Sequence, residues 1–237
     1  IQYLDRNNQL QYVHTTSWGV STRLIGSLIM VHGDDRGLVL PPKVAPTQVI
    51  MVPVGPPKTR EQVIAKVDEL YAQLKAAGVR VRVDDRDDVS PGWKFNEYEM
   101  RGVPLRIELG PRDMENGVVV LAPRVGGDKR TVPQDKIVEE VLKALDEIHN
   151  TMFELAKKFR EEHSRSVDTL DELKAFMEES RGFVEAGWCG SEACERQVKD
   201  ETGATSRNIP FEPSSRKTKC LVCGEEAAHT VVFARAY

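Results

Sequence analysis

Between Val49 and Leu121 short apolar runs alternate with stretches whose apolar residues recur every three or four positions. Neither an all-helical nor an all-strand fold satisfies both periods, so the alternation demands layered strands and helices. Val49 to Val54 reads as a short buried strand, and Val63, Val67, Leu70 and Leu74 share one helical face that Gly78 terminates. Val79, Val81 and Val83 alternate with Arg80 and Arg82 as a further strand. A helix around Trp93 to Met100 is followed by strands at Leu105 to Leu109 and Val118 to Leu121. Strands and helices at this spacing predict an α/β domain with a mixed sheet.

The flanks carry their own signals. Leu24 to Val31 is nearly all apolar, interrupted by Gly26 and Ser27, and begins just after Ser21. It is predicted to be a buried helix with Ser21 as its cap. Pro41 and Pro42 end that region, which places a domain boundary near residue 44. Pro133 is predicted to open a long helix, in which Ile137, Val141, Leu145, Ile148, Met152, Leu155 and Phe159 form one stripe. A stripe of that length is expected to pack on the chain's own domains and not as a free coiled coil, which needs sustained heptads. Thr169 and Glu172 have the spacing of a capping box.

The 237 residues are 40% apolar and 30% charged, a globular balance that leads us to expect two compact units. A net charge of -4 argues against coating nucleic acid by bulk electrostatics, while leaving room for a local basic site. No apolar run approaches the roughly 20 residues of a membrane-spanning helix. The opening Ile1-Gln2-Tyr3-Leu4-Asp5 has no initiator Met, basic region or apolar core of a secretory signal. A cytoplasmic protein whose chain begins partway through a domain is therefore expected.

The four cysteines are Cys189, Cys194, Cys220 and Cys223, two close pairs separated by 25 residues. In a cytosolic setting such pairs favour metal over disulfides. Four thiolates suit tetrahedral zinc in a closed site with no position for substrate. Four free thiols, or disulfides formed on isolation, are the alternatives, and His229 is a competing ligand. In each case the role is structural, because the surrounding segment carries few apolar residues and a staple would add stability. The remaining histidines, His14, His32, His149 and His163, are scattered without a partner pattern for general-base work. Asp84 to Asp88 is read as a solvated turn and not a metal loop.

One further segment is polar, glycine-containing and delivers an arginine to the start of an apolar helix: Thr15-Thr16-Ser17-Trp18-Gly19-Val20-Ser21-Thr22-Arg23. Helix N-termini and guanidinium groups both favour anions, so this geometry suits a phosphate, whereas most arginines at helix starts are merely solvated.

That segment, with His32-Gly33-Asp34-Asp35-Arg36-Gly37 and Leu40-Pro41-Pro42, resembles motif 3 of class II aminoacyl-tRNA synthetases, in the form used by the prolyl-tRNA synthetases of the archaeal and eukaryote-like group. The resemblance continues through Asp84-Asp85-Arg86-Asp87, Pro91-Gly92-Trp93-Lys94-Phe95, Gly102 to Asp113, the cysteine quartet and Val232 to Tyr237, and so spans essentially the whole chain. It implies an α/β chain in three parts: the end of a class II catalytic domain at 1–43, a mixed-sheet anticodon-binding domain at 44–140, and a small zinc-binding C-terminal domain at 141–237. The implied reaction is ATP-dependent activation of proline to prolyl-adenylate and transfer to tRNA(Pro).

By that resemblance Arg23 is the catalytic arginine on the ATP γ-phosphate, with Ser21 near the nucleotide and its Mg2+. Ser17, Trp18 and Gly19 line the proline pocket. Glu99, Arg106 and Arg112 are the expected anticodon readers: a guanine edge offers two donors beside one acceptor, which calls for a carboxylate and a cation. Zn2+ is expected at Cys189, Cys194, Cys220 and Cys223. Further expectations are a homodimer of the full-length enzyme, no membrane partner, and a terminal Tyr237 packed back toward the catalytic domain. Motifs 1 and 2 are expected upstream of Ile1, so this chain alone should not activate proline. A non-catalytic RNA-binding module, or another class II synthetase such as the threonyl, glycyl or histidyl enzyme, is the competing reading; the turn at Trp18 to Arg23 opposes the first, and the cysteine quartet and terminal aromatic oppose the second.

Overall fold

The computed structural model describes residues 1–180 and 182–236 of the chain, which divides into two compact units between His149 and Asn150. In the first unit, β1 (Gln2–Leu4) and β2 (Leu10–Tyr12) form an antiparallel hairpin. Asp5 accepts hydrogen bonds from the Asn7 and Gln9 backbone at 2.8 and 2.9 Å, and Asn8 takes the left-handed conformation that the turn needs.

Helix α1 (Arg23–His32) forms where expected, with two differences. Its N-cap is Thr22, without a side-chain cap bond, and not Ser21. It is also not buried: Leu24, Ile25, Ile29, Met30 and Val31 are all exposed. Apolar composition supplies a capacity for burial, and burial needs a facing surface that the described residues of this unit do not provide.

The centre of the unit is a five-stranded sheet ordered β4-β3-β5-β6-β7. It is built from β3 (Val49–Pro53), helix α2 (Pro57–Ala76), β4 (Val81–Val83), helix α3 (Pro91–Met100), β5 (Leu105–Leu109), the short α4 (Pro111–Glu115), β6 (Val118–Pro123) and β7 (Arg130–Pro133). β3 runs parallel to β4 and β5, while β5, β6 and β7 are antiparallel, so the sheet is mixed. Every residue of β3 is buried, the signature of a central strand covered on both faces. Val63, Val67, Leu70 and Leu74 of α2 are the buried stripe that their spacing implied.

Helix α5 (Ile137–Glu162) starts later than Pro133, which pairs with Val118 at the end of β7 before a 3-10 turn at Gln134–Lys136. Ile137, Val141, Leu145, Ile148 and Met152 are buried, but Leu155 and Phe159 at the end of the stripe are exposed. Asp84 also departs from the solvated turn expected of it, being 3% exposed. The Arg86 guanidinium donates to it at 2.9 and 2.7 Å, and the Lys94 ammonium lies 3.4 Å away while donating to the Asp84 and Arg86 carbonyls at 2.9 and 2.6 Å. These bonds, Arg86 first, hold the Asp84 carboxyl well below the usual carboxylate range despite its burial. The rest of the turn, Asp85 to Asp88, is exposed.

The second unit carries a four-stranded sheet ordered β10-β11-β9-β8. Its elements are β8 (Ser164–Ser166), α6 (Leu170–Glu179), β9 (Phe183–Trp188), α7 (Glu192–Thr202), β10 (Ala204–Asn208) and β11 (His229–Arg235). The Thr169 hydroxyl accepts from the Glu172 backbone at 3.3 Å and the Glu172 carboxylate accepts from the Thr169 backbone at 3.2 Å, the reciprocal box that starts α6. Gly203, in the left-handed conformation, ends α7. The apolar core is larger than the segment's composition suggested: Val167, Leu173, Phe176, Met177, Val184, Val198, Leu221, Val231 and Phe233 form one buried cluster with Ala186 and Ala204. Alternate strand positions and small side chains concentrate on one face what looks sparse along the chain. Tyr237, expected to pack against another domain, lies outside the described residues.

Candidate functional site

Residues 13–21 have no regular structure and are almost wholly exposed. Trp18 is 94% exposed, and a Cβ on Gly19 would meet nothing within 4 Å, so Ser17, Trp18 and Gly19 face open space. Arg23 is the first residue of α1, and its side chain makes no salt bridge among the described residues. Ser21 accepts from the Leu24 backbone at 3.1 Å, which tightens the turn into the helix. A free guanidinium beside unpaired helix N–H groups is an arrangement that can receive a polyanion.

Two of the three expected anticodon residues meet. Glu99, near the end of α3, and Arg106, on β5, line one cleft of about 230 Å3 together with Arg36, Tyr98, Arg124 and Lys129. Arg112 does not line it. Arg106 is the second residue of β5 and Arg112 lies in α4 beyond the strand's other end. At roughly 3.3 Å per residue a strand separates two such positions by much more than one base can span.

Glu99 and Arg106 are not paired with each other. Glu99 Oε1 lies 2.7 Å from Arg36 Nη1. Arg106 donates to Glu108 through Nε and Nη2, at 3.0 and 2.9 Å, and its guanidinium lies 4.1 Å from the Phe95 ring centre. Lys129 donates to the other oxygen of Glu108 at 3.0 Å. The Arg106–Glu108 pair follows from strand geometry, since positions i and i+2 share a face. The part played by Arg36, Arg124 and Lys129 had no local sequence signal. Arg124, almost fully buried, grips Asp34 with both terminal nitrogens at 2.9 and 2.5 Å and donates to the Glu99 carbonyl at 3.0 Å. A carboxylate and a guanidinium in one cleft are the kinds of acceptor and donor that complement the edge of a guanine in a single strand.

The Arg124 bond, outweighing desolvation, holds the Asp34 carboxyl down at about 2. Because its folded value lies below its unfolded one, the stabilisation is complete above about pH 4 and is lost as pH falls toward 2. Asp34→Asn should therefore destabilise the first unit by roughly 1 kcal/mol at neutral pH, Asp34 being partly solvated. Chemical denaturation between pH 7 and pH 2 checks this. A deficit that stays constant with pH would show that the charge of Asp34 contributes nothing.

In the second unit, the four cysteine sulfurs lie within 4.8 Å of one another. Cys189 follows β9 and Cys194 sits in the first turn of α7, with the Trp188 indole donating to the Ser191 carbonyl at 3.0 Å across the bend between them. Cys220 and Cys223 bracket a tight turn in which the Gly224 N–H donates to the Cys220 carbonyl at 2.9 Å, with Gly224 at φ 72. Burial pushes the Cys194 thiol up to about 12. At Cys220 the backbone N–H groups of Cys223, Val222 and Cys189 overcome burial and bring the thiol to about 7. Zinc–sulfur bonds of about 2.3 Å imply sulfur separations of about 3.8 Å in a tetrahedron, so four convergent thiols fit that ion. His229 is not part of the cluster; its ring stands 6.1 Å from that of Trp188.

Comparison with known proteins adds three findings. Residues 48–144 match the family described as anticodon binding domain, and residues 170–237 match the family described as prolyl-tRNA synthetase, C-terminal. A proline–tRNA ligase of Symbiobacterium thermophilum is 62% identical over 244 residues, which cover 100% of this chain and 50% of that protein; one of Clostridium novyi is 51% identical, covering 100% and 49%. The crystal structure of prolyl-tRNA synthetase from Cryptosporidium parvum complexed with L-proline and AMP superposes with a TM-score of 0.89 at 38% identity, over 100% of this chain and 51% of that one. The chain spans about half the length of the relatives it matches.

Proposed function

We propose a function from the premise that this chain belongs to the prolyl-tRNA synthetase family: it supplies the motif 3 turn, the anticodon reader and the C-terminal zinc unit of an enzyme that joins proline to tRNA(Pro). The division into 1–43, 44–140 and 141–237 follows those three roles. The observation that carries the reading is the meeting of Glu99 and Arg106 in one cleft inside the segment that matches an anticodon binding domain.

In the full-length enzyme the proline carboxylate attacks the ATP α-phosphorus and pyrophosphate leaves; a hydroxyl at the tRNA 3′ end then attacks the prolyl carbonyl of the adenylate, forming the ester and releasing AMP. ATP with its Mg2+ enters as substrate. Arg23, at the positive end of α1, holds the γ-phosphate by charge-assisted hydrogen bonds, and Ser21 lies beside the nucleotide. Ser17, Trp18 and Gly19 form one wall of the proline pocket, where a flat indole and a position without a side chain shape a small apolar space. These groups act by neutralising charge and fixing position, the main contributions to phosphorus-centred displacement. Zinc, held by Cys189, Cys194, Cys220 and Cys223, supplies cross-linking and no chemistry. A homodimer in the cytoplasm completes the proposal.

Glu99 accepts from the donors of an anticodon guanine, and Arg106 donates to its acceptors. Arg112, exposed on α4, contacts the tRNA apart from that cleft. Glu99→Ala or Arg106→Ala should cost about 1 to 3 kcal/mol of binding to cognate tRNA and narrow its preference over a tRNA with substituted anticodon guanines. Binding of both tRNAs by each variant tests this. Equal losses on the two would make these residues backbone contacts or supports.

A further inference from the structure

Arg36 lies outside the segment that matches the anticodon binding domain, yet it enters that segment's cleft. Its place is closely determined. The Asp34–Gly37 bridge closes a turn in which the Asp34 carboxylate accepts from the Arg36 backbone at 2.9 Å. Gly37 adopts φ +127, and a Cβ there would come within 2.5 Å of the Met100 carbonyl oxygen, so the turn lies directly on the end of α3. From there Leu38 donates to the Met100 carbonyl at 2.9 Å and Leu40 to that of Gly102 at 3.2 Å. Gly102, at φ +70, has no room for a side chain against Leu38. The buried Arg124, bound to both Asp34 and the Glu99 carbonyl, fastens the same turn to the residue it faces. The backbone of the turn is thus held at several points, and the Arg36 side chain lies 2.7 Å from Glu99 Oε1 and, more loosely, 3.6 Å from Asp34 Oδ2.

We propose that Arg36 is a positioning residue that holds the Glu99 carboxylate toward the cleft, so that recognition of the anticodon guanine uses a group from outside the anticodon-binding domain. The inference rests on the reading of the cleft given above. A glutamate has three rotatable bonds, and an acceptor already oriented binds without the entropy of ordering it. Arg36 engages one oxygen and leaves Oε2 for the base. Because the Arg36 side chain is 64% exposed, the ion pair is screened and yields readily as the base arrives.

The test compares Arg36→Ala, Arg36→Lys, Glu99→Ala and the Arg36→Ala/Glu99→Ala double variant in the full-length enzyme. Each is assayed in aminoacylation of cognate tRNA and of tRNA with substituted anticodon guanines. Arg36→Ala should raise KM for cognate tRNA about three- to fivefold, the reach of an exposed ion pair, with a smaller change in kcat and little change on the substituted tRNA. Arg36→Lys should recover most of that loss. In the Glu99→Ala background Arg36→Ala should add nothing to the loss on cognate tRNA, since the carboxylate it orients is gone and its looser pair with Asp34, at 3.6 Å, does not reach the base. Equal losses on both tRNAs, with the salt dependence of binding reduced by about one charge, would make Arg36 a phosphate contact and overturn the proposal, as would losses that add in the double variant. Glu99→Ala alone, with Arg36 intact, judges the cleft separately: equal losses on the two tRNAs there would overturn the reading on which the proposal depends.

Discussion

Arg23→Ala in the full-length enzyme is expected to reduce proline-dependent ATP–pyrophosphate exchange by about a hundredfold or more, the usual effect of removing one preorganised group from developing charge. The expectation comes from position. Arg23 opens α1 and has no ion-pair partner among the described residues, so its charge is not already committed. The α1 backbone N–H groups beside it add their partial positive charge. Ser21 and the exposed Ser17-Trp18-Gly19 precede it in the irregular segment that leads into α1, so ATP and proline would be held by neighbouring parts of one loop. Arg23→Lys should recover only part of the rate, because an ammonium lacks the fork that engages two phosphate oxygens. The cleft of Glu99 and Arg106 is built from other elements, so tRNA affinity is the internal control. Unchanged exchange kinetics for Arg23→Ala would sink the motif 3 assignment.

The second large effect is expected at the cysteine quartet. One zinc per chain should be found in freshly purified reduced protein, and Cys220→Ser, or chelation of the wild type, should destabilise the second unit by roughly 5 kcal/mol or more. This is less than the apparent binding energy of zinc in a peptide that folds only with metal, because the cluster around Phe176, Met177, Val184 and Phe233 gives this unit a core of its own. Cys220 is the telling position. It is buried, its carbonyl and N–H are both engaged in the turn, and the adjacent Leu221 bonds to Gly187 at 3.0 Å and belongs to the core. Hydrogen exchange should show β9, α7 and β11 losing protection while β3 and β5 of the first unit keep theirs. Less than about a third of an equivalent of zinc, with all four thiols freely titratable, would count against a native site.

Much of this fold is local, and for that reason readable. The α2 stripe, the strands β3 and β5 and the Thr169–Glu172 box each depend on neighbours within a few residues, where helical and strand periods act directly, and the mixed sheet follows from the order in which those elements alternate. The grouping of the four cysteines was legible because each pair is itself a short turn. The errors have the opposite character. Leu24 to Val31 is expected to be buried because it is apolar, and Asp84 solvated because it is charged; α1 meets no facing surface among the described residues, whereas Arg86 and Lys94 close on Asp84.

By itself the sequence determined where the elements lie, which residues can carry charge to a nucleotide or a base, and which four thiols can share an ion. Only the tertiary structure decided which of those residues meet. It placed Glu99 and Arg106 in one cleft, set Arg112 at the other end of β5, and brought Asp34 and Arg36 across the chain to Arg124 and Glu99. The physical reason is the range of the forces: periodicity and turn chemistry are settled by adjacent residues, whereas a contact such as Asp34 to Arg124, 90 positions apart, exists only after the sheet, α3 and the segment at 38–40 have packed.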